Sequence, residues 1–138
     1  MTDFRHIVFA ERQIYRNDGR ISMPQKTLKE LAMELVVSLD TVCKESNGRA
    51  IFKNQLLRAA SSVGANIYEA KYAQSNADFV HKMEIALKEC HETEYWLELL
   101  RNVKTLDDDT YQVLQNKCGQ IRCKLIASIK TVKEKYKI

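Results

Sequence analysis

One stretch of the sequence constrains the fold more than any other, because its apolar side chains recur at alternating steps of four and three. The stretch covers about residues 76–104. The repeat comprises Phe79, Met83, Ala86, Cys90, Thr93, Leu97 and Leu100. Steps of four and three place these side chains on one face of an α-helix that packs against other helices. The sequence therefore predicts a long amphipathic helix in this stretch.

Three further segments show the same periodicity, at about residues 27–45, 49–72 and 107–136. The chain contains only four glycines and one proline, whereas an all-β fold needs many turns. Amphipathic helices with short connections bury their apolar faces most economically as an antiparallel bundle. We therefore expect an all-α protein whose residues 27–138 form an antiparallel four-helix bundle.

Local signals mark the ends of these helices. Thr27 and Glu30 have the spacing of a capping box, and Ser75 and Asp78 have the same spacing before the third helix. Gly48 is suited to a left-handed stop after the first helix. These signals predict connections of only a few residues, which force consecutive helices to run antiparallel.

Residues 1–26 form an N-terminal extension with a less regular pattern. Its apolar residues, among them Phe4, Ile7 and Ile14, are compatible with one short helix. Alternatively, Asn17-Asp18-Gly19 is a hairpin turn between two short strands. We favour the hairpin, which would need to lie on a neighbouring element because an isolated hairpin is marginally stable in water.

The third helix carries a second apolar stripe, about 120° around the helix from the first. This stripe comprises Ile85, Trp96, Leu99 and Val103. An exposed stripe of this composition is typical of an association surface, so we predict a homo-oligomer interface here. The alternative is that the N-terminal extension or a broad core covers the stripe.

The second helix contains an unusually small-sided run, Ala59-Ala60-Ser61-Ser62-Val63-Gly64-Ala65. A glycine inside a helix costs about 1 kcal/mol relative to alanine, so a compensating gain is expected at Gly64. The close approach of another helix is the favoured explanation. A ligand pocket is the alternative.

The positive charge of the chain is concentrated in the last helix. From Lys117 onward there are seven basic residues and one acid, a formal charge of +6 in a chain whose total is +4. Four of the basic residues fall within about 80° of one another on the outer face and Glu134 lies outside this sector, so we expect an acid-free basic face. The predicted nucleic-acid contacts are these four, Arg122, Lys130, Lys133 and Lys137, together with Lys117 and Lys124. A basic face is the electrostatic footprint of phosphate-backbone binding, although solvated lysines at a helix end are the alternative.

Motifs for catalysis, metals and cofactors are absent from the sequence. There is no phosphate-binding glycine loop, and the closest approach to a di-iron motif is a single Asp78-x-x-His81. The four cysteines form no Cys-x-x-Cys pair, which favours reduced structural thiols. No apolar run is long enough to span a membrane, and no secretion signal is visible. We expect a cytoplasmic protein that is not an enzyme and has no membrane partner.

The central third of the chain contains four short motifs in order. They are Ser62-Val63-Gly64-Ala65-Asn66-Ile67-Tyr68-Glu69-Ala70, Ser75-x-x-Asp78-Phe79, Ile85-Ala86-Leu87-Lys88-Glu89 and Glu92-Thr93-Glu94-Tyr95-Trp96-Leu97. Over about residues 27–136, the chain resembles a bacterial four-helix bundle family that includes proteins encoded within intervening sequences of large-subunit ribosomal RNA genes. That family is also similar to the accessory variability determinant of diversity-generating retroelements.

The resemblance implies a small cytoplasmic protein without catalytic residues. In the retroelement branch it implies a homopentameric ring whose basic surface binds nucleic acid and a reverse transcriptase. Together with the charge pattern, it favours a homo-oligomer that binds RNA or DNA through the last helix. The alternative is a protein-interaction adaptor with no nucleic-acid role.

Overall fold

A computed structural model of the protein describes residues 26–138, which form four α-helices. The helices are α1 (Leu28–Glu45), α2 (Ala50–Ala70), α3 (Asn76–Asn102) and α4 (Asp108–Tyr136). Their ends agree with the predicted ends to within about two residues, which is the usual uncertainty of a helix boundary. Residues 1–25 of the N-terminal extension, with the predicted hairpin, lie outside the described residues.

The helices pack in ring order, with α1 against α2, α2 against α3, α3 against α4, and α4 closing onto α1. The predicted stripe of α3 is buried along its whole length. The core side of α4 comprises the buried Tyr111, Leu114, Cys118, Ile121, Leu125, Ile129 and Val132. The expected all-α antiparallel bundle is therefore confirmed.

Capping hydrogen bonds fix the beginnings of the helices. The Glu30 N–H donates to Thr27 Oγ1 at 3.2 Å, and the Thr27 N–H donates to Glu30 Oε2 at 3.0 Å, so this capping box is confirmed. At α3, Ser75 Oγ accepts from the Asp78 N–H at 3.0 Å. Asp78 Oδ2, however, accepts from the N–H of Gln74 rather than from that of Ser75. The second capping box is therefore only half formed.

The predicted left-handed stop at Gly48 is wrong. The C-cap of α1 is Ser46, in an extended conformation, whereas left-handed residues follow α3 at Lys104, with φ 66°, and α4 at Lys137, with φ 51°. Gly48 instead lies against another loop, because a Cβ at this position would be 2.6 Å from Thr105 Cγ2. The glycine lets the α1–α2 loop approach the α3–α4 loop.

The thiols of Cys43, Cys90 and Cys118 are buried, and that of Cys123 is exposed. The Cys90 thiol donates to the Cys118 carbonyl at 3.5 Å. The contact with Cys90 and burial both raise the pKa of the Cys118 thiol well above its usual range. Cys90 and Cys118 therefore contribute to packing between α3 and α4 as small apolar side chains.

Among residues 26–138, no helix combines the length and the apolar composition that crossing a bilayer requires.

Candidate nucleic-acid interface

Arg122 lies on the side of α4 that faces α3. Its Nε donates to Glu94 Oε1 at 3.0 Å, and this hydrogen bond raises the pKa of the Arg122 guanidinium. The Glu94 side chain is only 19% exposed, so the pair lies at the margin of the helix–helix contact. Much of the charge of Arg122 is therefore balanced within the bundle.

Lys133 lies farther along the same side of α4. Its Nζ is 2.6 Å from Glu84 Oε1 of α3, and both side chains are about 40% exposed. The expectation of an acid-free sector is therefore wrong, because it considered only the acids of α4 itself. The neighbouring helix supplies Glu84 and Glu94 to that sector.

Lys130 and Lys137 point away from the bundle. The Lys130 side chain is 74% exposed, and its Nζ is 4.0 Å from Glu134, one helical turn later. Lys137 is exposed at the C-cap of α4, where its φ is 51°. An exposed ion pair one helical turn apart contributes little stabilisation in water, so the Lys130 ammonium is accessible to an anionic partner.

The last two predicted contacts lie on the side of α4 that faces α1. Lys124 Nζ donates to the carbonyl of Lys26 at 3.1 Å. Lys117 is half-buried, and its charge helps to lower the pKa of the Glu34 carboxyl, although the hydrogen bond from Lys26 contributes most. The six predicted residues thus lie in three pairs, one toward α3, one toward α1 and one outward.

The predicted oligomer stripe is only partly open. The ring of Trp96 stacks on that of Phe52 in α2, with 6.4 Å between centroids, and its Nε1–H donates to Glu92 at 3.2 Å. Ile85 and Leu99 are half-buried, whereas Val103 is 46% exposed. α2 therefore covers part of Trp96, and the rest of the stripe runs along the surface beside it.

Ion pairs border this stripe at the boundary between α2 and α3. Arg58 Nη1 is 3.6 Å from Glu89 Oε2, and Arg58 Nη2 contacts Glu92. Lys82 Nζ of α3 lies 3.0 Å from Glu69 of α2. These pairs connect the two helices along the edge where Trp96 packs.

A groove that no sequence pattern indicated runs along α1. The groove has a volume of about 810 Å³, and its lining includes Lys26 just before α1, Lys29 of α1, Tyr68 of α2, Lys71 just after α2, and Lys117 of α4. Its residues come from three helices, so no single sequence window contains them. The signal available in the sequence was the aromatic pair Tyr68 and Tyr72, spaced by one helical turn next to lysines.

The small-sided run of α2 forms one wall beside this groove. A Cβ at Gly64 would be 3.4 Å from the Cβ of Ala32 in α1, which is an ordinary van der Waals contact, so α1 passes beside this position but does not require a glycine there. Ser61, Gly64 and Ala65 also line a cavity of about 490 Å³ between α1 and α2, together with Met33 and Tyr68. The small side chains thus serve helix packing and leave open space at the surface.

A sequence model of the 23S rRNA-intervening sequence protein family matches residues 25–127. The chain belongs to this family. The intervening-sequence fold agrees with a crystal structure of a protein with unknown function from the S23 ribosomal protein family of Bacteroides thetaiotaomicron. That protein is 40% identical to this one, with a TM-score of 0.72, and the match covers 75% of this chain and 95% of that chain. No curated protein matches the chain.

The family assignment confirms the resemblance to intervening-sequence proteins, and the similarity to the retroelement determinant stays a prediction. Within residues 26–138 of this family member, no group of three or more His, Cys, Asp or Glu side chains is placed to hold a metal ion.

Proposed function

We propose that the protein is a non-catalytic homo-oligomer that binds RNA or DNA through the outward-facing lysines of α4. The observation that carries the proposal is the charge of the segment from Lys117 onward, with seven basic residues and one acid. Glu84 and Glu94 of α3 balance two of the basic residues. An excess of positive charge is left on the outer side, and a phosphate backbone is the polyanion that such a surface attracts.

The spacing of Lys130 and Lys137 suits a phosphate backbone. Seven residues of α-helix span about 10 Å, so Lys130 and Lys137, the left-handed C-cap that follows α4, lie about 10 Å apart along the helix axis. One nucleic-acid strand carries a phosphate about every 3.4 Å along a duplex axis, so two lysines about 10 Å apart can reach phosphates about three steps apart on one strand. Such contacts depend on charge and not on base sequence.

Oligomerisation strengthens this weak site by repeating it. The stripe of Ile85, Trp96, Leu99 and Val103 is the surface we assign to self-association, on the basis of the exposed Val103 and the half-buried remainder. A ring that presents several copies of the α4 surface gains affinity through effective concentration. A pentameric ring and a reverse-transcriptase partner extend this proposal by analogy with the retroelement branch.

Fluorescence anisotropy with duplex RNA and duplex DNA tests the binding site. We expect Lys130→Glu/Lys137→Glu to weaken binding about ten-fold or more at about 50 mM salt, because two phosphate contacts become repulsive. The matched control is Lys44→Glu in α1, since Lys44 is also 74% exposed and also pairs with an acid four residues away, Asp40. The control should bind within about two-fold of the wild type, because α1 carries no comparable excess of positive charge.

Two results would contradict the binding proposal. One is the absence of binding by the wild type at low salt. The other is an equal loss in Lys44→Glu and in the α4 variant, which would show a response to total charge and not to this surface. If the wild type binds no nucleic acid but specifically recovers one protein partner, the protein-interaction adaptor is the favoured function.

Light scattering of Leu99→Asp tests the assembly surface. We expect this variant to have a lower mass than the wild type, because a charge within an apolar interface is costly to bury. Val113→Asp is the control, since Val113 is 56% exposed on α4, away from the stripe. An unchanged mass in Leu99→Asp, or the same decrease in Val113→Asp, would remove the interface assignment.

A further inference from the structure

Two tyrosines form an exposed aromatic platform at the C-terminal end of α2. Tyr68 and Tyr72 are 46% and 63% exposed. Their ring centroids are 5.5 Å apart and the rings are inclined at 59°. The neighbouring Tyr72 hydroxyl raises the pKa of Tyr68 above its usual value. Large aromatic faces left in water on a helix surface are available to stack with another flat ring.

Lysines surround this platform. Lys29 Nζ lies 5.3 Å from the centroid of the Tyr68 ring, and Lys71 Nζ lies 6.0 Å from that of Tyr72. Lys26 and Lys117 complete the basic lining of the groove along α1. The groove also contains Glu30 and Glu34, of which Glu34 pairs with Lys26 at 2.6 Å. Four lysines and two glutamates give the lining a positive balance beside an aromatic surface.

The space in the groove suits flat rings joined by a charged backbone. Its volume of about 810 Å³ lies within the range of sites that bind small organic ligands. Ser61, Gly64 and Ala65, whose side chains are small, line the adjoining cavity beside Tyr68, and Lys29 Nζ lies over one face of that ring. Bases in a duplex are already stacked, whereas bases of a single strand can stack on protein aromatics.

We propose that the groove along α1 binds a short single-stranded stretch of nucleic acid. Unpaired bases stack on Tyr68 in the groove and on the neighbouring ring of Tyr72 beside it, and the phosphates lie along Lys26, Lys29 and Lys117. This inference rests on the proposed function and deepens it, since it assigns unpaired nucleotides to a surface distinct from the outward lysines of α4. Duplex segments bind at α4, and single-stranded segments bind in the groove.

Anisotropy of the full chain with labelled oligothymidylate and oligouridylate of about ten nucleotides tests this site, with a blunt duplex measured in parallel. We expect Tyr68→Ala/Tyr72→Ala to lose about ten-fold or more in single-strand affinity, while duplex affinity stays within about two-fold. Tyr95→Ala is the control for loss of an exposed tyrosine, because Tyr95 is 58% exposed on α3, outside the groove. Its ring packs edge-on against Trp96 of the α3 stripe, with 5.1 Å between centroids, so light scattering must show that this variant keeps the oligomer mass of the wild type. Tyr68→Phe/Tyr72→Phe retains both rings and should retain single-strand affinity.

Several outcomes would overturn the inference. The double alanine variant could bind single strands with wild-type affinity. It could also lose the same factor of affinity for duplex and for single strands. Finally, Tyr95→Ala could lose as much single-strand affinity as the double alanine variant. A decrease in oligomer mass in the alanine variant would instead show that the groove is a contact between copies of the chain. Circular dichroism of the alanine and phenylalanine variants establishes that each is folded before the affinities are compared.

The same measurements separate this inference from the proposed function. Loss of duplex binding in the Lys130/Lys137 variant, with no effect of the tyrosine variant on single strands, supports the α4 surface and rejects the groove. The reverse pattern supports the groove and rejects the α4 surface. A wild type that binds neither probe rejects both.

Discussion

The inner margin and the outer surface of α4 have the same kinds of side chain in the sequence but different surroundings in the fold. At the margin, Arg122 and Lys133 meet carboxylates of α3 at 3.0 Å and 2.6 Å. On the outer surface, Lys130 is 74% exposed and has only a distant contact, 4.0 Å from Glu134. Carboxylates of the neighbouring helix α3 therefore determine which cations of α4 form ion pairs within the bundle and which are accessible to a polyanion.

The largest effect on the free energy of unfolding is expected from a substitution in the core beneath both the margin and the outer surface of α4. Ile121 is fully buried, and Ile121→Ala should lower the free energy of unfolding by about 2–5 kcal/mol, through lost apolar burial and the cavity that remains. Urea unfolding followed by circular dichroism measures this change. The folded fraction of the variant should still bind nucleic acid with wild-type affinity. Loss of affinity in the folded variant would show that the margin and the outer surface are not separable.

A smaller effect on stability is expected at the margin. Arg122→Ala should lower the free energy of unfolding by about 0.5–1 kcal/mol, because its pair with Glu94 is partly screened by water. Duplex affinity should stay within about two-fold of the wild type. Urea unfolding and anisotropy on the same sample check both values, and a large loss of affinity with unchanged stability would reverse the role assigned to Arg122.

Lys133→Ala tests the second ion pair at the margin, that of Lys133 with Glu84. Glu84 is 44% exposed whereas Glu94 is 19% exposed, so solvent screens the Lys133 pair more strongly than the Arg122 pair. We expect a loss of about 0.5 kcal/mol or less in the free energy of unfolding. A loss greater than that of Arg122→Ala would contradict the order that burial predicts.

The smallest effect on stability is expected on the outer surface. In the pair of Lys130 with Glu134 the lysine precedes the acid, which is the weaker orientation along a helix. Lys130→Ala should therefore change the free energy of unfolding by less than about 0.3 kcal/mol, while duplex affinity falls measurably. A thermal unfolding scan and an anisotropy titration provide the two numbers. A destabilisation equal to that of Arg122→Ala would place Lys130 among the side chains that hold the bundle.

The sequence predicted those features whose causes are local. The capping box of Thr27 and Glu30 is complete within four residues, and the stripe of α3 is a repeat along one helix. Both are visible in a short window of sequence because the hydrogen bonds and the helical period act over a few residues. The family motifs are short segments at α2 and α3, and the resemblance that they indicated is confirmed by the family match over residues 25–127.

The features that the sequence did not predict involve partners on other elements. Gly48 looked like a helix stop, but its constraint comes from Thr105 in a different loop. Arg122 looked accessible on a wheel of α4, but Glu94 is 28 positions away on α3. The groove was not predicted either, because its lining residues come from three different helices. A projection of one helix contains no information on which side chains the next helix brings to its edge.

The dependence of duplex affinity on salt tests the division of α4 most directly. Each phosphate contact contributes about one unit to the slope of the logarithm of affinity against the logarithm of salt concentration. Between about 50 and 200 mM salt, Lys130→Gln/Lys137→Gln should reduce this slope by about two units, and Arg122→Gln/Lys133→Gln should leave it unchanged. An unchanged slope in the outer variant, together with a reduced slope in the margin variant, would contradict the account.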